Sequence, residues 1–147
     1  MAKIPKPLQQ HINDALFPNT PLVGSVDRDG YPRISLRGST CVYDDETLAF
    51  WERSSAGLKE SIEDGAKLTV FFQKPELRES LLPIAGVARF FGTAKVHRSG
   101  PVRDQVWSMI LEAERQRDPE RKGFAVLIKV ERAEDLRGLP LQGPQKA

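Results

Sequence analysis

The chain has 147 residues, the length of one ordinary domain, and we expect a single domain over residues 1–147. Its 22 lysines and arginines and 20 aspartates and glutamates give a formal net charge of +2, with both signs scattered along the whole chain. This balance excludes a general electrostatic attraction to nucleic acid or to membranes.

Cysteine usage and the amino-terminal residues bear on the compartment. The only cysteine, Cys41, cannot form an intramolecular disulfide, and no charged and then apolar leader opens the sequence. No apolar run approaches the ~20 residues needed to cross a bilayer. We therefore expect a soluble, cytoplasmic protein in which Cys41 is a small core residue. His11 and His97 have no neighbour at metal-ligand spacing, so we expect no metal site.

The first third of the chain predicts a helix and then two strand pairs. Apolar residues at helical spacing predict a short helix over residues 7–16. The predicted strand pairs are Leu22–Val26 with Tyr31–Leu36, and Thr40–Tyr43 with Leu48–Trp51. The residues Asp27 to Gly30 join the first pair and are a strong hairpin signal, because glycine tolerates the positive φ of such turns.

The middle of the chain predicts a helix and two further strands. A serine at the start and Gly65 just past the end predict a helix over Ser55–Asp64. Strands are expected over Lys67–Phe72 and Gly86–Val96. The second of these carries Gly92 in its interior, which predicts a bulge or a tight bend of a barrel.

The last third predicts one amphipathic helix and one strand. The helix runs over residues 102–115, and its apolar stripe comprises Val102, Val106, Met109, Ile110 and Ala113. A strand over Phe124–Glu131 follows, and the tail from Gly138 is expected to be irregular. About seven strands without a repeating βαβ rhythm predict a mainly β fold, an antiparallel barrel with helices at its ends or flanks.

One face of the second strand is polar. Arg33, Ser35 and Arg37 alternate with apolar residues and therefore point the same way. Two guanidinium groups that flank a hydroxyl can cradle an anion, since arginine offers planar paired donors to phosphate. The alternative is a solvated strand face.

A second polar cluster lies where the fourth strand leads into the next helix. Trp51 and Glu52 end the strand, Ser55 stands near the helix start, and Lys59 follows one turn later. Free amide groups and the helix dipole make such a start a phosphate site. The alternatives are that the serine is only an N-cap and that Trp51 belongs to the core. Glu52 argues against a purely anionic ligand.

In this order the features resemble the FMN-binding split barrels related to pyridoxamine 5′-phosphate oxidase. The resemblance rests on the run from Gly30 to Arg37, the strand end at Phe50 and Trp51, a short helix with a basic residue, and the late Gly92. It covers residues 8 to 137. It implies an antiparallel split β-barrel that forms a homodimer, in which the second subunit completes each cofactor site.

The resemblance also implies roles for individual residues. Arg33 would reach the flavin phosphate, Trp51 and Glu52 would contact the cofactor, and Ser55 and Lys59 would hold the phosphate. The residues expected to line the cofactor are Ile34, Ser35, Leu36 and Arg37. FMN is the expected cofactor, with the deazaflavin F420 or haem as alternatives. Residues 86–91 and 135–140 lack the vitamin-binding residues of the true oxidases, so pyridoxine phosphate is not the expected substrate.

Two classes of function remain open at this stage. The chain has no GxSxG, P-loop, HExxH or CxxC motif, which suits a flavin-dependent oxidoreductase whose cofactor does the chemistry. The alternatives are a flavin carrier or sensor without turnover and a purely structural barrel. For the homodimer, the Val102 helix stripe, Trp107 and the Phe90–Phe91 pair are candidate interface residues, unless the core of one subunit absorbs them.

Overall fold

Within residues 2–53 and 62–141, which the computed structural model describes, seven strands form one antiparallel sheet. The strands are β1 Leu22–Val26, β2 Pro32–Leu36, β3 Cys41–Asp44, β4 Thr47–Glu52, β5 Lys67–Gln73, β6 Val87–His97 and β7 Phe124–Glu134. Their order across the sheet is β2-β1-β5-β6-β7-β4-β3. The predicted mainly β, antiparallel fold is confirmed, and each predicted strand lies within a few residues of an observed one.

The helices lie between the strands and at the amino terminus. They are α1 Lys6–Asn13, α2 Pro101–Met109 and α3 Glu112–Arg115, with a 3₁₀ turn at Pro75–Glu79. Most of the helix predicted over Ser55–Asp64 lies outside the described residues, and its described end, residues 62–64, is not helical. In residues 2–53 and 62–141, no helix has the length and apolar character that crossing a membrane requires.

The prediction of one continuous helix over residues 102–115 is wrong. The backbone is extended at Ile110, with φ −75° and ψ 160°, and this break separates α2 from α3. The break lets Ile110 pack into the core, whereas Ala113, expected on the buried stripe, is exposed. Arg115 stabilises the break, because its Nη1 donates hydrogen bonds to the carbonyls of Ile110 at 2.7 Å and Trp107 at 3.2 Å.

The sheet buries a core on each face. The larger core lies on the inner face, where Phe50, Phe72 and Phe90 are its largest fully buried side chains. The smaller core lies on the outer face beneath α2, and its buried members are Cys41, Ala49, Trp51, Val106, Ile110 and Ala125. Burial raises the pKa of the Cys41 thiol to about 12, as suits the expected core residue.

Gly92 lies at a β-bulge, as predicted. The β6–β7 register shifts between Phe91 and Gly92, and Glu131 is the extra residue on β7. A β-carbon on Gly92 would overlap the carbonyl oxygen of Lys129 and come within 2.7 Å of the Ile128 side chain. Glycine therefore permits the close approach of two strands that bends the sheet.

The chain crosses from one edge of the sheet to the other between β2 and β3. Residues 37–40 form this connection, and Ser39 fixes it to β4. The Ser39 hydroxyl accepts a hydrogen bond from the Trp51 amide at 2.9 Å and donates one to the Trp51 carbonyl at 3.3 Å. The two halves of the sheet are thereby joined, which is consistent with a split barrel.

Candidate functional site

The polar face of β2 lies on the inner side of the sheet. Ser35 is the cross-strand partner of Val23, which is 3% exposed in the inner core, and directly paired residues share a face. Arg33 lies two residues before Ser35 and takes the same side. The apolar residues of the strand face outward instead, and Ile34 is 72% and Leu36 62% exposed. An edge strand with its polar face inward and its apolar face exposed is the reverse of an ordinary amphipathic strand.

The turn before β2 sets this orientation. The Asp27 carboxylate accepts hydrogen bonds from the amides of Asp29 and Tyr31, both at 2.9 Å. Gly30 has φ +87°, a conformation that glycine adopts without strain. Because a shift of one residue would exchange the two faces of the strand, this turn decides that Arg33 and Ser35 face inward.

Arg37 and Glu52 meet across the inner face. Arg37 Nη1 donates to Glu52 Oε1 at 2.6 Å, and Nη2 donates to Oε2 at 3.0 Å. The side chain of Glu52 is buried, and the Arg37 guanidinium also lies 5.2 Å from the ring centre of Phe50. The structure thus brings two predicted site residues together, and their charges compensate each other.

The indole ring of Trp51 lies in the outer core. It is 3% exposed and stands 4.8 Å from the ring of Trp107 in a T-shaped arrangement. Its Nε1 donates a hydrogen bond to Asp118 Oδ2 at 2.8 Å. The position of this ring fits the alternative interpretation, in which Trp51 is a core residue. Alternation along β4 sends the Trp51 side chain outward and the Glu52 side chain inward.

Asp118 holds this part of the outer core together, and the sequence reasoning missed it. Besides Trp51, it accepts hydrogen bonds from the amides of Lys122 at 3.0 Å and Gly123 at 2.8 Å. Burial by itself raises the pKa of Asp118, but these hydrogen bonds and nearby Arg103 outweigh it, so the pKa lies below its usual range. The Asp-Pro pair at residues 118–119 is a turn signal, but it does not reveal a partner 67 residues away.

The remaining predicted phosphate residues, Ser55 and Lys59, lie outside the described residues. The described chain on the near side ends at Arg53, which is exposed and directly follows Glu52.

The expected dimer residues lie largely in the core of one subunit. Val106, Ile110 and Phe90 are buried, and the guanidinium of Arg132 covers the ring of Phe91 at 4.1 Å. The exposed apolar side chains lie mainly around the outer face of the β1–β2 hairpin and the segment before it. Val26, Ile34 and Leu36 lie on the outer face itself, Tyr31 lies just before β2, and Leu16 and Phe17 lie in the preceding segment, while the exposed leucines Leu81, Leu136 and Leu139 lie elsewhere.

Two further features lie apart from these residues. An open cleft of about 380 Å³ between β3 and α2 is lined by Tyr43, Pro101, Val102 and Gln105, and none of the predicted cofactor residues lines it. Among residues 2–53 and 62–141, no cluster of three or more histidine, cysteine, aspartate or glutamate side chains could hold a metal ion.

Comparison with known proteins identifies solved structures that are similar to this fold. No family model and no curated protein matches the chain. The structure of HupZ from Group A Streptococcus is 26% identical, with a TM-score of 0.67 over 95% of this chain and 99% of that chain. A candidate pyridoxamine 5′-phosphate oxidase from Lactobacillus delbrueckii is 20% identical, with a TM-score of 0.63 over 90% of this chain and 93% of that chain.

An FMN-binding protein from Syntrophomonas wolfei matches as well. It is 14% identical, with a TM-score of 0.54 over 93% of this chain and 86% of that chain. At these levels of sequence identity, the matches show that the proteins share this fold. The resemblance drawn from the sequence is therefore confirmed for the fold.

Proposed function

Starting from the fold of the pyridoxamine 5′-phosphate oxidase-like proteins, we propose that this chain binds FMN along the inner face of β2. We further propose that it is a flavin-dependent oxidoreductase whose substrate is not pyridoxine phosphate. The observation that carries the proposal is the inverted β2 strand, which turns Arg33 and Ser35 inward while Ile34 is 72% exposed. An FMN-binding protein that shares the fold supports it.

The donors on this face suit a phosphorylated flavin. Arg33 offers planar paired donors to a phosphate, and Ser35 adds a hydroxyl two residues along the same face. Arg37 is already engaged by Glu52 in two hydrogen bonds, so it suits a lining position better than the phosphate. Residues Ile34 and Leu36 would then approach the cofactor through their backbone, because their side chains point to the other face.

Bound FMN would supply the electron transfer, and this chain's residues would bind and orient it. In such a reaction the protein does not need to supply an acid, a base or a nucleophile. The absence of a catalytic motif in the sequence is compatible with it.

We also propose that the active form is a homodimer, joined through the outer face of β1 and β2. Val26, Ile34 and Leu36 expose large apolar side chains on this face. Contiguous apolar surface of this kind marks interaction sites, and a second copy of the chain presents an identical apolar face. Such a dimer would bring partner residues close to the edge of the FMN site.

The test is a titration of the purified protein with FMN, in which flavin fluorescence and absorption monitor binding. We expect binding, and we expect Arg33→Ala to weaken it about tenfold or more, because charge-assisted hydrogen bonds to phosphate are lost. Arg78→Ala, a change in the 3₁₀ turn, is the matched control and should leave the affinity within about twofold. Failure to bind FMN would overturn the proposal, and tight binding of F420 in its place would favour the deazaflavin alternative.

Turnover is tested separately on the FMN complex. Bleaching of the flavin by a nicotinamide donor without oxygen, and return of the colour in air, would support an oxidoreductase. A bound flavin that responds to no donor would favour the carrier or sensor.

A further inference from the structure

Arg98 stands at the end of the inner face and directly follows β6. Its guanidinium carbon lies 4.1 Å from the ring centre of Phe124, a buried residue of the inner core. Val96, which is partly buried, packs against this core, and Arg98 lies two residues further along the same side. Arg98 therefore covers the end of the inner core while its side chain stays exposed.

The β4–β7 register places Arg98 beside the Arg37–Glu52 pair. Phe124 is the cross-strand partner of Glu52, so their side chains are neighbours on the inner face. Arg37 reaches Glu52 from one side and stacks above Phe50, while Arg98 stacks above Phe124. At this end of the inner face, the Arg37 guanidinium therefore binds the Glu52 carboxylate, and the Arg98 guanidinium stacks on the ring of Phe124, the cross-strand partner of Glu52.

Among the described residues, the carboxylates near this end already have partners, and Asp64, which accepts a hydrogen bond from the Val96 amide, lies 3.6 Å from Lys95 Nζ. Glu52 gives both carboxylate oxygens to Arg37. In the described parts of the chain, the Phe124 ring is the only partner of Arg98, which has neither a hydrogen bond nor an ion pair there. One face of a planar guanidinium is therefore fixed on an aromatic ring, and its N–H edge is left to bind an anion.

We propose that Arg98 is a binding residue for the phosphate group of the flavin at this site. The inference rests on the proposed FMN function and adds a residue that lies beyond the strand and helix motifs of the sequence. Because Arg37 is neutralised by Glu52, Arg98 supplies positive charge at this end that a phosphate monoester can pair with.

The experiment compares FMN with riboflavin, which lacks the phosphate, in fluorescence titrations of the whole protein. We expect Arg98→Gln to weaken FMN binding about tenfold or more and to leave riboflavin binding within about twofold. Arg132→Gln is the matched control, because Arg132 stacks on Phe91 at the same 4.1 Å but on the outer face. Its affinity for FMN should match that of the unmodified protein.

Two results would overturn the inference about Arg98. Unchanged FMN affinity in Arg98→Gln would do so, and so would an equal loss for FMN and riboflavin, which would indicate a packing role. Arg98→Met keeps the apolar contact with Phe124 and serves if the glutamine variant does not fold. If the unmodified protein binds neither flavin, the proposed function itself fails, and the inference about Arg98 falls with it.

Discussion

Arg37 and Glu52 form a paired ion contact, with distances of 2.6 Å and 3.0 Å, that joins the end of β2 to the end of β4. These strands lie far apart in the order of the sheet. The contact therefore closes the polar end of the inner face and fixes the position from which β2 presents Arg33 and Ser35.

The pair should be important for stability mainly because Glu52 is buried. Arg37→Ala leaves a buried carboxylate without a partner, and we expect a loss of about 3 kcal/mol or more in the free energy of unfolding. The double variant Arg37→Met/Glu52→Leu should recover most of this loss. Urea unfolding measures both, and Lys6→Met, which removes an exposed ion pair to Asp45, should cost under about 1 kcal/mol. Equal losses for Arg37→Ala and Lys6→Met would contradict the role assigned to burial.

Acid should weaken the outer core through Asp118. Its folded-state pKa lies below the unfolded value near 3.8, so its contribution is present above that value and is lost as pH falls through the folded pKa. Asp118→Asn should lower stability at neutral pH by about 1.5–3 kcal/mol and make the acid-induced loss shallower. Urea unfolding followed by tryptophan fluorescence at a series of pH values checks this. A variant that keeps the full acid sensitivity would rule out Asp118 as its source.

The thiol of Cys41 should be inert in the folded protein. Its pKa is raised to about 12 by burial, so almost no reactive thiolate is present at neutral pH. A colorimetric disulfide reagent should modify Cys41 slowly in buffer and rapidly in concentrated urea. Rapid modification under native conditions would show that the outer core opens at this strand.

The bulge should tolerate no side chain at Gly92. Gly92→Ala would force the β-carbon against the Lys129 carbonyl, and we expect a loss of about 2 kcal/mol or more in the free energy of unfolding. Gly24→Ala in β1 is the control, since its nearest neighbours would lie 3.8 Å away. Thermal melts of the two variants should therefore differ clearly, and similar melting temperatures would argue against the close approach of β6 and β7.

The outer face of β2 should control the oligomeric state. Ile34→Glu places a charge on the proposed dimer face, and we expect a monomer by light scattering after gel filtration. Leu81→Glu, at an exposed leucine in the segment between the 3₁₀ turn and β6, should leave the dimer intact. A monomeric unmodified protein, or a dimer that persists in Ile34→Glu, would refute this interface.

Local sequence signals predicted much of the strand framework. Alternation and turn residues placed β1 over Leu22–Val26. They also placed the end of the turn between β1 and β2 at Gly30, whose φ is +87°. The same reasoning placed a bulge at Gly92. It failed at Ile110, because a continuous apolar stripe does not reveal that a buried residue at its end needs an extended backbone.

The sequence by itself determined which residues alternate, where the turns fall and which side chains carry charge. Only the tertiary structure decided that the polar face of β2 turns inward, since the register with Val23 and the Asp27 turn outweighs the tendency of apolar side chains to be buried. It also decided the partners of Arg37, Trp51 and Arg98. These contacts join strands that are distant in the chain, and no local pattern encodes the pairing of residues that only the closed sheet brings together.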